Sequence, residues 1–201
     1  MISTLLATFA IAQPADRFSA FAPLTTRLET LVHRVSIAVS TMPQPDHWLQ
    51  VAGLVLIYTL ISLPLGFKLG LLQVDIETSW VTVMGVMVTC LFSPAITEEV
   101  FFRVLLLPHP TENASAVTLW LWSGASLVLF IAYHPLNAMT FFPAGRQTFS
   151  TPGFLLLATL LGVICAIAYL QSGSLWLPVL IHWLTVTIWL LVFGGYKRLY
   201  G

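Results

Sequence analysis

Charged residues are scarce in this chain, and their scarcity excludes several classes of protein. Only 8% of its 201 residues are charged and 58% are hydrophobic, whereas roughly a quarter of the residues in soluble domains are charged. The formal net charge is zero, so the chain lacks the basic surface that nucleic acid requires, and we expect no nucleic-acid partner. The composition therefore predicts a protein embedded in a lipid bilayer.

The sequence also lacks the motifs of several protease and redox classes. Two cysteines, Cys90 and Cys165, are too few for a disulfide framework and too far apart for a CxxC metal pair, so we predict that they pack as small apolar side chains. The chain has no Gly-x-Ser-x-Gly motif, no HExxH motif and no pair of intramembrane aspartates. Membrane proteolysis by those three chemistries is therefore excluded.

Long runs without charge predict the membrane spans. We place five transmembrane helices at about residues 48–67, 79–107, 115–134, 153–171 and 174–194. Apolar residues at helical spacing from Leu24 to Val39 predict an amphipathic helix, which we expect to lie on the membrane with the apolar segment Met1–Ala12. The predicted fold class is all-α: a polytopic integral membrane helical bundle. Residues 1–45 would form an interfacial segment and residues 46–201 the transmembrane domain.

Small residues recur every four positions on two of the predicted spans. The two stripes are Gly85, Thr89 and Ser93 on the second span, and Ala158, Gly162 and Ala166 on the fourth. Small side chains on one helix face allow the backbones of neighbouring helices to approach closely. Both stripes therefore predict helix-packing surfaces.

Three charged residues nevertheless lie within the second predicted span. A charge at the bilayer centre costs roughly 2.5 to 3.5 kcal/mol on insertion scales, so Glu98, Glu99 and Arg103 need internal partners or water. Glu99 and Arg103 are four residues apart, in the favourable order for an ion pair on one helix face. Glu98 points about 100° away from Glu99. The spacing therefore predicts a Glu99–Arg103 pair, which is either a structural clamp or a catalytic element, and a free carboxylate, Glu98, that is available as a general base.

Two histidines add polar groups to the other predicted spans. His134 ends the third span and His182 lies within the fifth. A lone histidine in an apolar helix can equally be a hydrogen-bonded packing residue, so neither is decisive by itself. The remaining histidines are predicted to be ordinary surface residues: His33, His47 and His109.

Three prolines lie beside these polar residues. Pro94 and Pro178 each come four residues before a candidate site residue, and each predicts a helix kink because proline removes a backbone hydrogen bond. Pro135 directly follows His134 and predicts that the third span ends there. We therefore expect a loop over residues 136–151.

Together these residues resemble the CPBP or Abi family of glutamate-dependent intramembrane proteases, which includes CAAX-processing and bacteriocin-processing enzymes. The family's motifs occur here in order: two glutamates followed by arginine (Glu98, Glu99 and Arg103), phenylalanine and histidine four residues apart (Phe130 and His134), and a third-motif histidine (His182). The resemblance covers roughly residues 80–191.

The resemblance implies an intramembrane endopeptidase. In that reading Glu98, assisted by His134, activates a water, His182 stabilises the oxyanion, and Glu99 with Arg103 holds the helix. It also implies membrane-associated peptide or protein substrates, such as prenylated C-terminal motifs, and no cofactor. Zinc held by one glutamate and two histidines is the second choice. We expect an integral protein of a bacterial cell membrane, the bacterial origin resting on the compactness of the chain.

One position departs from the family pattern. The family usually has Asn or Asp four residues after the third-motif histidine, where this chain has Val186. An oxyanion donor is then missing, and Thr185, Thr187 or Asn137 are its possible replacements. Two other functions stay open: a catalytically silent membrane scaffold of the same fold, and a proton-coupled transporter that uses the glutamate and histidines as a relay.

Overall fold

The computed structural model describes residues 24–201, which are mainly helical. The chain divides into two units, Met1–His33 and Arg34–Gly201. Helix α1 (Leu24–Ser40) begins in the first and ends in the second. The predicted helix from Leu24 to Val39 is confirmed, but its position on the membrane and the domain boundary near residue 45 stay predictions. The predicted interfacial segment Met1–Ala12 lies outside the described residues.

The rest of the chain is a series of helices with short connections. The helices are α2 (Pro45–Lys68), α3 (Trp80–Cys90), α4 (Thr97–Glu99), α5 (Ala116–Thr140), α6 (Arg146–Phe149), α7 (Pro152–Ser172), α8 (Trp176–Val192) and α9 (Gly195–Tyr200). π-helical turns at Leu91–Ile96 and Val100–Leu105 flank α4, and 3₁₀ turns lie at Pro110–Glu112 and Pro143–Gly145. Residues 24–201 contain no β-strand, only a bridge between Asp75 and Phe193.

Four segments are long and apolar enough to cross a bilayer: Pro45–Lys68, Trp80–Glu112, Ala116–Thr140 and Pro152–Ser172. Helix α8 is a shorter apolar helix of 17 residues, or about 26 Å at 1.5 Å per residue, against a hydrocarbon core of about 30 Å. Large apolar side chains on these helices are exposed, including Leu60 on α2 and Trp120 on α5, as lipid-facing residues would be. The predicted polytopic membrane bundle is therefore confirmed.

Helix α7 is the centre of the bundle, because it packs against α2, α5 and α8. Its ends follow from local sequence. Thr151 caps the start by accepting a hydrogen bond from the backbone N–H of Phe154, and Pro152 occupies the first turn, where its missing N–H costs nothing. Gly173 ends the helix in the left-handed conformation, with φ of 66°. Helix α8 follows at once and packs against α3 and α7.

The three prolines behave differently. Pro94 interrupts the second span as predicted, because Ser93 before it has non-helical angles, with φ of −135° and ψ of 115°. The predicted kink at Pro178 is wrong, since Pro178 is the third residue of α8 and lies in the first turn, whose N–H groups have no helical partner.

The predicted end of the third span at His134 is also wrong. Helix α5 continues through Pro135 to Thr140, so His134 is a residue of the helix interior. The predicted loop over residues 136–151 is largely ordered as the end of α5, a 3₁₀ turn and α6. The extra turn is held from outside the helix, because the exposed Arg146 donates a hydrogen bond from Nε to the carbonyl of Ala138, 3.3 Å away. Tertiary contacts therefore override the local preference of Pro135.

Only one of the two small-residue stripes packs as predicted. Gly162 on α7 lies against α5, and a Cβ there would come within 2.8 Å of Leu127 and 3.1 Å of Phe130. Gly85 is exposed, and a Cβ there would meet no atom of the described residues within 4 Å. Thr89 and Ser93, the other members of its stripe, line a cavity. The prediction of helix packing by the stripe on the second span is therefore wrong.

Candidate active site

The polar residues of the three motifs come together inside the bundle. Glu98 and Glu99 lie on α4, and Arg103 lies one turn later in the same span. His134 comes from α5 and His182 from α8. All five side chains are buried. The five residues to which the resemblance gives roles therefore form one cluster, and Asn137, a candidate replacement donor, lies one turn beyond His134 on α5.

Glu99 is at the centre of this cluster. Its Oε1 accepts a hydrogen bond from His182 Nδ1, at 2.7 Å, and its Oε2 lies 3.1 Å from Arg103 Nε. The contact between Arg103 Nε and Glu99 Oε2 is an ion pair without a hydrogen bond. Glu99 thus joins the second span to α8 and sets the orientation of the His182 ring.

Arg103 is held on three sides. Besides the Glu99 carboxylate, its Nη2 donates to the carbonyl of Gly162, at 3.1 Å, and its guanidinium lies 4.7 Å from the centre of the Phe130 ring. Phe130 is fully buried. The guanidinium therefore has an anion, a carbonyl and an aromatic face as partners, which offset the cost of burying its charge.

Glu98 lies apart from that network, as its 100° offset from Glu99 predicts. Its Oε2 is 3.9 Å from His182 Nε2, too long for a hydrogen bond. Within residues 24–201 no donor is placed to hydrogen-bond this oxygen. One carboxylate of the adjacent pair is thus committed to structure, and the other is available.

His134 has one ring nitrogen committed and one free. Its Nδ1 lies 2.8 Å from the carbonyl oxygen of Phe130. A carbonyl can only accept, so Nδ1 carries the proton of the neutral ring and Nε2 keeps its lone pair. Aromatic contacts with Phe130 and Phe154, at 4.8 and 5.3 Å between ring centres, fix the ring plane. His134 therefore presents a base nitrogen.

A cavity of about 640 Å³ joins these groups, within the range of small-molecule and peptide sites. Glu98, His134 and His182 line it, together with Asn137 and Val186. Most of its remaining wall is apolar and aromatic, including Phe142, Phe149, Phe154 and Trp189. The cavity therefore combines an apolar surface with a few converging polar groups.

The three candidate replacements for the missing donor have different positions. Asn137 and Thr185 line the cavity, beside Val186 itself. Thr187 is buried and does not line it. Thr187 is therefore the weakest of the three candidates.

In the described part of the chain, no group of three or more His, Cys, Asp or Glu side chains is arranged to hold a metal ion. Both cysteines are buried and free, in agreement with their predicted packing role. The absence of a cofactor, with zinc as the second choice, stays a prediction.

His109 is not the surface histidine that the sequence predicts. It is buried, with Nε2 3.1 Å from the carbonyl of Gly173 and Nδ1 2.8 Å from the hydroxyl of Thr111. Nearby, Arg34 binds both carboxylate oxygens of Glu112 at 2.6 Å. These contacts fasten the end of the second span to α1 and α7. His109 is therefore a structural residue outside the cavity.

Residues 78–188, more than half of the chain, match the family model described as Type II CAAX prenyl endopeptidase Rce1-like. The chain belongs to this Rce1-like family. The matched region contains all three motifs, which confirms the resemblance found in the sequence. Membership in the Rce1-like family supports an intramembrane CAAX endopeptidase function in general, in an integral membrane protein with membrane-associated substrates. No curated protein and no solved structure matches the chain.

The site of this Rce1-like chain includes a residue that the motifs do not reveal. Gly162 accepts a hydrogen bond from Arg103 through its carbonyl, and its missing side chain leaves room for Phe130. The small-residue stripe indicates close packing but does not indicate a link to the site. Gly162 lies 59 residues after Arg103, so only the tertiary structure reveals the contact.

We expect Gly162→Ala to destabilise the protein by about 1 to 3 kcal/mol, because the added methyl group forces Leu127 and Phe130 to move. Cleavage should also slow, since Phe130 supports both Arg103 and His134. The measurement is the melting temperature in detergent, with Gly85→Ala as the matched control, which we expect to change stability by about 0.5 kcal/mol or less. Equal shifts for the two variants would contradict the assigned packing.

Proposed function

We propose that this protein is a glutamate-type intramembrane endopeptidase that hydrolyses membrane-associated substrates without a metal. The observation that carries the proposal is the convergence of Glu98, His134 and His182 on one cavity within apolar helices. Polar groups inside a membrane are costly and are typical of functional sites. The Rce1-like family match supports the same general activity.

In the proposed reaction Glu98 acts as the general base. A water bound between Glu98 and His134 transfers a proton to Glu98 as its oxygen attacks the peptide carbonyl carbon. The C–O bond forms and the carbonyl oxygen becomes an oxyanion. When the tetrahedral intermediate collapses, the C–N bond breaks and the amine leaves with the proton held by Glu98. The free carboxylate of Glu98 and the free Nε2 of His134 suit this division of roles.

His182 is the proposed oxyanion donor. Its Nδ1 donates to Glu99, so its Nε2 is the nitrogen available to the substrate. A hydrogen bond from Nε2 to the oxyanion requires that both ring nitrogens carry protons, with Nδ1 still donating to the Glu99 carboxylate. Arg103 in turn holds Glu99 in place. Glu99 and Arg103 are therefore positioning residues in this proposal.

Prenylated C-terminal CAAX peptides are the proposed substrates, with peptide precursors and membrane-anchored regulators as alternatives. The apolar and aromatic wall of the cavity suits a substrate with an apolar group beside its scissile bond. A bacterial cell membrane is the proposed location, on the compactness of the chain alone.

A catalytically silent scaffold is the second candidate, and the position of Val186 supports it. Val186 lines the cavity at the position where the family usually has an amide or carboxylate. Losing one oxyanion donor costs roughly a hundredfold to a thousandfold in rate in other hydrolases. The two candidates therefore differ in a measurable quantity, the rate of peptide cleavage.

The test uses the full-length wild-type protein in detergent and in proteoliposomes. We expect it to cleave a farnesylated CAAX peptide from a panel that also contains unprenylated peptides and transmembrane peptides, with the same rate in a chelator. Loss of cleavage in the chelator would favour zinc. Proton flux across the proteoliposomes without cleavage would favour the transporter, and neither activity would favour the scaffold.

A further inference from the structure

The proposed endopeptidase lacks a second side-chain donor for the oxyanion, because Val186 lies on the cavity wall where the family usually has Asn or Asp. Acyl transfer usually relies on preorganised donors at the oxyanion, each worth roughly a hundredfold to a thousandfold in rate. A replacement donor must lie on the cavity wall close to Glu98 and His182. The described residues of that wall include the side chains of Tyr133, Asn137 and Thr185.

Tyr133 is the one of these three with direct contacts to the residues of the site. The centre of its ring lies 5.6 Å from the ring centre of Phe102 and 6.0 Å from that of His134. Phe102 comes one turn after Glu98 on the second span. Tyr133 also lines the same cavity as Glu98 and His182. Aromatic contacts hold the body of Tyr133, and the hydroxyl is its only polar group. A rigid ring with one donor on the wall of a cavity suits an oxyanion site.

Asn137 and Thr185 are less well placed. Asn137 is four residues after Tyr133 on α5, or about 6 Å further along the helix axis. Thr185 is next to Val186 on α8, and its side chain is short. Tyr133 is therefore the strongest of the three.

We infer that Tyr133 is a further catalytic residue, whose hydroxyl donates a hydrogen bond to the oxyanion in place of the amide that Val186 lacks. This inference rests on the proposed endopeptidase function. His182 and Tyr133 then approach the oxyanion from two helices, α8 and α5. No motif indicates this role, because Tyr133 is simply the residue before the second-motif histidine.

The test removes only the hydroxyl. With a peptide that the wild-type protein cleaves, we expect Tyr133→Phe to lower kcat about a hundredfold, with KM changed by about twofold or less, because the donor acts on the transition state. The melting temperature should be unchanged, since the ring contacts remain. Asn137→Ala and Thr185→Val remove the two competing donors, and each should lower kcat less than Tyr133→Phe does.

Rescue by the family's own donor makes the test specific. Val186 lines the same cavity. The double variant Tyr133→Phe with Val186→Asn should therefore have a kcat at least about tenfold higher than that of Tyr133→Phe alone. A Tyr133→Phe variant with near wild-type kcat would overturn the inference, and so would a loss confined to Asn137→Ala or Thr185→Val. Failure of the wild-type protein to cleave any peptide would instead refute the proposed function, and the role of Tyr133 with it.

Discussion

Glu98→Gln is expected to reduce peptide cleavage to the background rate. The amide has the shape of the carboxylate but cannot accept a proton from water, and general-base catalysis contributes roughly a hundredfold to ten-thousandfold. We expect the loss to appear in kcat, because the apolar wall of the cavity that binds the substrate is unchanged. The measurement is the initial rate on a peptide that the wild-type protein cleaves, with the melting temperature of both proteins recorded in parallel.

Glu112→Gln is the matched control for this loss. Glu112 is a carboxylate near the end of the same span, pairs with Arg34 and does not line the cavity. We expect its substitution to leave kcat within a small factor of the wild-type value. Cleavage by Glu98→Gln at the wild-type rate would refute the proposed role of Glu98, because the two variants differ only in which carboxylate is lost.

Arg103→Met should have the largest effect on stability. The substitution leaves the Glu99 carboxylate fully buried without its cationic partner, although the hydrogen bond from His182 remains. Breaking a buried ion pair from one side typically costs about 3 to 5 kcal/mol, because an uncompensated charge stays in the interior. We expect a large fall in the melting temperature in detergent, or failure to accumulate in the membrane.

Two further variants separate the ion pair from the arginine side chain itself. Arg146→Met removes an exposed arginine whose hydrogen bonds within residues 24–201 go to the backbone carbonyls of Ala138 and Met139, and it should change stability by about 1 kcal/mol or less. The double variant Glu99→Gln with Arg103→Met should be more stable than the sum of its single effects predicts, because the buried charge is then gone. Strictly additive effects would contradict the ion pair as the source of the loss.

Helical periodicity was enough to predict the division of roles between the two adjacent glutamates. Residues one apart point about 100° apart on a helix, and those four apart share a face. Glu99 therefore pairs with Arg103 and Glu98 does not. The bond between Glu99 and His182 joins residues 83 apart, and no local pattern predicts it. The motif resemblance groups these residues but does not say which atoms meet.

The conformational preference of proline predicts the helix geometry correctly at only one of the three prolines beside the site. Pro94 does kink its span, whereas α5 continues through Pro135 because packing beyond it holds the last turn. Pro178 lies in the first turn of α8, because this helix begins at Trp176, two residues after the predicted start of the fifth span. A correct start would have removed the expected kink. Similarly, Gly85 and Gly162 belong to identical-looking stripes, yet only Gly162 faces another helix. Only the tertiary structure shows which element a helix face packs against.

In the proposed mechanism Glu98 delivers a water to a peptide bond inside the bundle. This step is tested most directly by mass spectrometry of products formed in ¹⁸O-labelled water by wild-type and Glu98→Gln proteoliposomes. The account predicts one cleaved bond, a single ¹⁸O atom in the new carboxylate of the wild-type product, and no product from the variant. Labelled product in equal yield from both proteins would contradict it.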